Sequence, residues 1–499
     1  MLLTLSLMAF AAPLELGSPV LGDVAPGAEE THTLRPRPGR FVAGFVHQTE
    51  ADVVVTITDP DGERVSHGDF TATGPELFQF TSEKRGVYTL TVSSFEEAAG
   101  AYELSLEVLE PVAEDPAGRI RQLLWDLQRP GSPGVVLGVV EGGELTFSAV
   151  YGLANLTWDI PLTVDTRMNL GSNSKQFTAM AVVLLEQDGV LSLDDDVRDH
   201  IPELPDLGAT VTLRHLLTHT SGYREVLHLF RLQGRALEQG DGFDHEELIP
   251  TIAQQGRLQN EPGAEWNYNN TGYNLLVEVV ERASGASFPE FLADRIFQPL
   301  SMHDTVPRGD HQILVPRSSQ GYRPDGDGYR IGHDVRGSLG AGGLYTTIPD
   351  MARWLGNFES GQVGGPEAID ALTTPFVLTD GEATDYGLGL FVDSYRGLVR
   401  VHHGGADIAQ FSTMSYYPEI DAGVIVQANV SGVGTEWVAR ELTDLFLAEH
   451  LEDQDEESAD EVEAAALDTA TRVGSEEDVE ERPLSAYVGT YLCRELDTF

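Results

Sequence analysis

The 499-residue chain carries 80 acidic against 31 basic residues, a formal net charge of −49 that argues against nucleic-acid or anionic-membrane partners. Its one cysteine, Cys493, excludes an intramolecular disulfide and a cysteine-based zinc cluster, and no apolar run is long enough to span a bilayer. Only Lys84 and Lys175 are lysines; acid excess with so little lysine fits adaptation to salt and, equally, a GC-rich genome.

The opening stretch MLLTLSLMAFAAP is apolar and ends in an Ala9-Phe10-Ala11 cleavage pattern, without a positively charged start. Residues 1–12 are therefore expected to be a signal peptide, and the protein to be secreted or periplasmic. Residues 15–110 read as an all-β sandwich. Tyr102, Leu104, Leu106 and Val108 alternate, as do Tyr88, Leu90 and Val92, and Asp59-Pro60-Asp61-Gly62 makes a turn after Val53–Ile57. The runs TITDPDGERV, RGVYTLTV and AGAYELSLEV resemble the pre-peptidase C-terminal type of module found on secreted bacterial hydrolases. No catalytic constellation lies in them, and spacer, chaperone-like or weak binding roles are all open.

After a link at Pro111–Pro116 the pattern changes. Ile120–Leu127 is expected to be helical, and Gly134–Val140 with Leu145–Tyr151 to form a hairpin. Then comes Ser172-Asn173-Ser174-Lys175. With two lysines and 27 serines, about 0.1 Ser-x-x-Lys pairs are expected by chance. The segment to Gln187 is apolar almost all round, with Gly189 as a C-terminal cap, so a buried helix is expected to begin near Ser172. On a helix Lys175 stands one turn from the Ser172 hydroxyl. A serine needs a base to become nucleophilic, and a desolvated lysine can be that base, whereas arginine cannot deprotonate. A serine cap followed by a snorkelling lysine fits the tetrapeptide equally well.

Further helices are expected between Leu213 and Phe297, and strands at Gly387–Val392, Leu398–His402, Phe411–Tyr417 and Gly423–Asn429. Strands at both ends with helices between them predict an α+β fold, an antiparallel sheet assembled from the two ends with an inserted helical lobe. Within the lobe, Tyr268 could serve as a second acid/base and Asn270 could orient it and a substrate amide, although a loop tyrosine packed on the core explains Tyr-x-Asn as well. The strand through His402 and His403 runs into Gly404, Gly405 and Ala406. Such a segment lets a substrate backbone pair with it and leaves N–H groups for an oxyanion; a capped strand end is the plainer alternative. Two histidines without a third ligand argue against zinc.

The ordered set Ser-x-x-Lys, Tyr-x-Asn, His-x-Gly resembles the class C β-lactamase and penicillin-binding-protein superfamily, with its D-amino-acid peptidases and family VIII esterases, over residues 118–450. YGLANLTWDIPLTVDTRMNLGSNSK, LLTHTSGY at 216–223, GSLGAGGLYTTIPDMARWL at 337–355 and YGLGL at 386–390 match as well. The resemblance implies Ser172 as nucleophile, Lys175 as its proton acceptor, Tyr268 as general base and Asn270 as a ligand of the substrate amide. His403 replaces the lysine of the third motif, and the N–H groups of Ser172 and Ala406 form the oxyanion hole. The alternative register through His402 matches too, but HGGAD followed by Ser412 favours His403. Ala409 and Gln410 stand where the family usually has glycine and an aromatic.

Residues 451–483 read as an acidic, solvated linker, and 484–499 as the start of a small C-terminal β module cut short at Phe499. The expectation is an exported serine hydrolase using an acyl-enzyme, without metal or cofactor, on β-lactams, small esters or peptidoglycan-type D-amino-acid peptides. The rival reading is a sensor that captures wall peptides or β-lactams without turnover.

Overall fold

The computed structural model describes residues 14–48, 52–69, 74–95, 99–237 and 240–453. The expected signal segment, the acidic linker from residue 454 onward and the 484–499 module lie outside them. Two compact units emerge. One holds the described residues up to Trp125 together with Arg323–Arg330; the other holds those of Asp126–Tyr322 and from Ile331 on.

The first unit is a sandwich of two four-stranded antiparallel sheets. One runs in the order Val20–Val24, Gly100–Pro111, Arg40–Gln48, Gly74–Ser82; the other runs Glu29–Leu34, Tyr88–Ser94, Val53–Thr58, Arg64–Gly68. Alternate residues such as Val53, Val55, Ile57, Leu90, Val92, Tyr102, Leu104 and Leu106 point inward and form the core between the sheets. A bulge opposite Ala43 and Gly44 skips Glu107 in the pairing. Beyond it Val108 therefore changes face and joins a second cluster of Phe41, Ala43, Phe45 and Trp125.

The helix expected at Ile120–Leu127 spans Pro116–Leu123 instead. Asp115 caps it by accepting from Gly118 N–H at 2.8 Å, and Pro116 supplies a preset φ in the first turn. It stops at Leu123, and Asp126–Gln128 forms a separate 3-10 turn.

The second unit is built on a six-stranded antiparallel sheet. Its order is Glu144–Tyr151, Val135–Glu141, Ala422–Ala428, Gln410–Tyr417, Leu398–Asp407, Phe391–Tyr395. Val135–Glu141 pairs with Ala422–Ala428, so the early hairpin and the late strands meet in mid-sheet, as the α+β expectation required. Every residue of Ala422–Ala428 is buried, the sign of a sheet covered on both faces. The inserted lobe centres on Lys175–Gln187, buried from Lys175 through Leu185, beside Thr271–Ser284. Shorter helices at Leu213–Leu217, Val226–Leu232, Leu248–Ile252 and Phe288–Leu292 complete it. Past Gln187 the chain caps itself: Gly189 adopts φ +71° and Val190 N–H returns to the Leu185 carbonyl at 3.0 Å.

The strand expected over Gly387–Val392 begins only at Phe391. Gly389 sits at φ +80° with its α-carbon turned onto the backbone of Lys175, where a Cβ would stand 3.0 Å from the Lys175 carbonyl. YGLGL is thus a loop laid along the Ser-x-x-Lys helix.

Candidate active site

Three elements converge where the lobe meets the sheet. Ser172 lies on a 3-10 turn, Gly171–Ser174, that runs directly into the α-helix whose first residue is Lys175. Tyr268 lies on the loop entering Thr271–Ser284, and Asn270 is the residue before that helix. His403, Gly404, Gly405 and Ala406 lie on the strand Leu398–Asp407.

Lys175 is fully buried. Its Nζ lies 3.0 Å from Ser172 Oγ, 2.9 Å from Asn270 Oδ1 and 3.1 Å from the Ala341 carbonyl oxygen. Burial pulls its amine down to about 7, against the opposing pull of Glu225 and Asp407. A neutral amine has two N–H donors and one lone pair. Asn270 Oδ1 and the Ala341 carbonyl can only accept, so they take both donors, and the lone pair is left for the Ser172 hydroxyl proton.

Tyr268 flanks this pair, with its ring centroid 4.8 Å from Nζ. Its phenol shares a hydrogen bond with Ser172, which draws its pKa down, but desolvation of the hydroxyl dominates and holds it above the usual range even though the residue is 37% exposed. The phenol, not the phenolate, is therefore the resting form. Asn270 is turned inward: its amide oxygen faces Lys175, while its NH2 and backbone N–H donate to Glu225 at 3.2 and 2.6 Å.

The strand ladder shows an open edge. Phe391–Tyr395 pairs only as far as His402, whereas the ladder to Gln410–Tyr417 continues to Asp407. Along 403–407 one side carries no strand among the described residues. Gly405 is crowded by the turn before Ser172, since a Cβ there would lie 1.9 Å from the Leu170 carbonyl. Gly171, at φ +52°, would place a Cβ 2.6 Å from Ala406 N. The backbone amides around Ser172 and Ala406 are thus brought together. Of the two histidine registers, His403 is the one turned to this site. It is buried, its Nδ1 donates to the Gly404 carbonyl, and its Nε2 accepts from the Tyr386 hydroxyl at 3.1 Å. Burial, helped by Lys175, pushes its imidazole down to about 3, so it is neutral. His402 points the other way, 3.2 Å from Asp393 and stacked on Phe391. Gln410 is also turned inward: its Oε1 accepts from Asn169 N–H at 2.8 Å.

The structure adds residues that motif reading did not single out. His219, inside LLTHTSGY, is buried at φ +58°, a strained value for a non-glycine residue. Its carbonyl accepts from Asn267 N–H at 2.7 Å, its Nδ1 accepts from Asn269 N–H at 3.3 Å, and its ring lies 4.3 Å from that of Tyr268. It anchors the loop that presents Tyr268. Glu225 and Asn169 are further additions; the only available signal was their proximity to matched motifs, which gives no role. Among the described residues no group of three or more His, Cys, Asp or Glu is arranged to hold a metal ion.

A helical lobe set against an antiparallel sheet, with Ser-x-x-Lys at the junction, defines an active-site-serine fold. The Beta-lactamase family model matches residues 117–448, and the chain belongs to that family. Among curated relatives, it is 30% identical over 289 residues to a penicillin-binding protein of Bacillus subtilis strain 168, covering 54% of this chain and 62% of that one. It is 28% identical to a D-aminopeptidase of Cereibacter sphaeroides, over 55% and 52% of the two chains. The chain thus spans between half and two thirds of the length of these relatives. Among solved structures, the octameric penicillin-binding protein homologue from Pyrococcus abyssi superposes with a TM-score of 0.59 at 26% identity, over 66% of this chain and 77% of that one.

Proposed function

We propose that the protein is an exported serine hydrolase that forms an acyl-enzyme on Ser172 with D-amino-acid peptides, β-lactams or small esters. In this reading residues 15–110 are an accessory sandwich and 118–450 the hydrolase domain. The observation that carries it is the fully buried Lys175 amine, whose Nζ lies 3.0 Å from the Ser172 hydroxyl oxygen and whose pKa burial pulls down to about 7.

Ser172 Oγ attacks the substrate carbonyl carbon as its proton passes to Lys175 Nζ. The carbonyl oxygen becomes an oxyanion held by the N–H groups of Ser172 and Ala406. The carbon–leaving-group bond then breaks, and the departing nitrogen or oxygen receives its proton from the Tyr268 phenol, which Lys175 reprotonates. In deacylation water attacks the ester carbonyl, Tyr268 and Lys175 carry the water's proton, and Ser172 Oγ leaves with a proton restored. The open edge at 403–407 aligns an extended substrate backbone, and Asn270, His403 and the two glycines shape the cleft around it.

The test follows the protein's mass over time after mixing with a penicillin, beside turnover of a p-nitrophenyl ester, in wild type and Ser172→Ala. The expected result is a transient adduct and ester turnover, both absent in Ser172→Ala. An adduct that forms and never clears, with no ester turnover, supports a sensor instead. Equal labelling of the alanine variant sinks the assignment of Ser172.

A further inference from the structure

Asn169 immediately precedes the Leu170–Gly171 turn and is 1% exposed. Its side-chain amide and its backbone N–H are all hydrogen-bonded. Its Oδ1 accepts from Gly171 N–H at 2.9 Å, and its Nδ2 donates to Asp407 Oδ2 at 2.9 Å and to Asp334 Oδ2 at 3.2 Å. Its backbone N–H donates to Gln410 Oε1, across the turn that closes the 398–407 strand. The two carboxylates that meet on this one NH2 are each balanced: Arg336 lies 2.9 Å from Asp407, and Arg308 lies 2.6 Å from Asp334. Tyr345 also donates to Asp334.

This placement has a consequence for the two oxyanion donors. Ser172 follows Gly171, which Asn169 holds from one side, and Ala406 precedes Asp407, which Asn169 holds from the other. We propose that Asn169 is a positioning residue that sets the separation and aim of the Ser172 and Ala406 N–H groups by bridging Gly171 N–H to the Asp407 carboxylate. The proposal rests on the oxyanion roles given to those two amides above. Two donors stabilise one developing oxyanion only when both point at the same spot, at about 2.7–3.1 Å, and an error near 1 Å forfeits much of the effect. Asparagine is the residue the bridge demands, since it must accept at one end and donate at the other. Aspartate loses the donors and sets a third carboxylate beside Asp407 and Asp334.

The test uses the full chain with Asn169→Ala and Asn169→Asp. It measures single-turnover acylation by a p-nitrophenyl ester, the dissociation constant of the ester before acylation, and inhibition by an aryl boronic acid, whose tetrahedral adduct on the serine imitates the oxyanion. Loss of the bridge should slow acylation on the order of 10²-fold, as when an oxyanion donor is removed. Boronate affinity should fall in parallel, as transition-state binding requires, with ester dissociation changed less than about threefold. The rate of Asn169→Asp relative to wild type should recover as pH falls towards about 5, when a shared proton restores an O–H donor, while Asn169→Ala should not recover. Acylation within about threefold of wild type in folded Asn169→Ala, or a loss confined to ester binding with boronate affinity intact, overturns the proposal. If the Asn169 variants do not fold, Asp407→Ala cuts the bridge from the strand side and must show the same paired losses; unchanged boronate affinity there overturns it. A wild type that neither acylates nor binds the boronate overturns the serine-hydrolase reading itself, and this role with it.

Discussion

Glu225 grips Asn270 at both ends, its Oε2 accepting the backbone N–H at 2.6 Å and its Oε1 accepting from Nδ2 at 3.2 Å. With the NH2 committed to a carboxylate, the amide oxygen must face Lys175. A flipped amide would offer an N–H to Nζ and draw the amine's lone pair away from Ser172. One acidic residue therefore fixes the direction of hydrogen bonding around the Lys175 amine and, by its charge, also supports that amine's basicity.

Lys175 should make stability rise with pH above neutrality. In the fold its amine titrates near 7, whereas an unfolded lysine titrates near 10.4. Between those values the unfolded chain binds a proton that the folded chain does not, so unfolding becomes harder as pH rises, by up to about 1.4 kcal/mol per pH unit. Below the lower value both states are protonated and the full burial cost is present. Lys175→Met lacks this term. Denaturant titrations of the two proteins from about pH 7 to 10 should show wild type gaining on the variant throughout, and parallel curves would mean that the buried amine keeps its proton.

Lys175→Arg retains positive charge but cannot accept a proton. Single-turnover acylation should fall by about 10²–10⁴, the span for losing a general base. A loss below about fivefold would reduce Lys175 to an electrostatic role.

Gly171→Ala meets two penalties at once. The residue is held at φ +52°, and the new Cβ would lie 2.6 Å from Ala406 N, a backbone atom that cannot swing aside. The left-handed backbone alone costs about 1–2 kcal/mol. The melting temperature should drop, and acylation should fall more than about tenfold as Ala406 is displaced from the oxyanion position. An unchanged acylation rate in a folded variant would place the oxyanion elsewhere.

Net charge gives a prediction for the whole chain. With 80 acidic and 31 basic residues, self-repulsion should be relieved by screening, so the melting temperature should climb between dilute buffer and molar sodium chloride. A flat or falling trend would trace the lysine-poor composition to codon bias.

The parts of this protein that are local in sequence were readable from it. Ser172 and Lys175 are three apart on one helical turn, and the alternation of the sandwich strands survives to the bulge at Glu107. Asp115-Pro116 was a readable helix start that the apolar pattern at Ile120–Leu127 obscured. What could not be read depends on distant partners. YGLGL has the composition of a strand end, but its path is set by the backbone of Lys175, over 200 positions earlier. Asn169 and Glu225 are ordinary polar residues in the sequence; their hydrogen bonds to Asp407 and Asn270 form only because the folded chain brings those residues near.

The unpaired side of residues 403–407 also bears on how the chain meets other proteins. Free strand edges are where folded chains stick to one another, and proteins usually cover or charge them. Here no covering strand extends along the edge among the described residues, and it is the edge's shortness that limits it. Phe391–Tyr395 covers the strand as far as His402, leaving five residues, two of them glycines, for another molecule to join. An edge that short offers few backbone groups for another strand to pair with, and its two glycines give that strand little side-chain surface to grip.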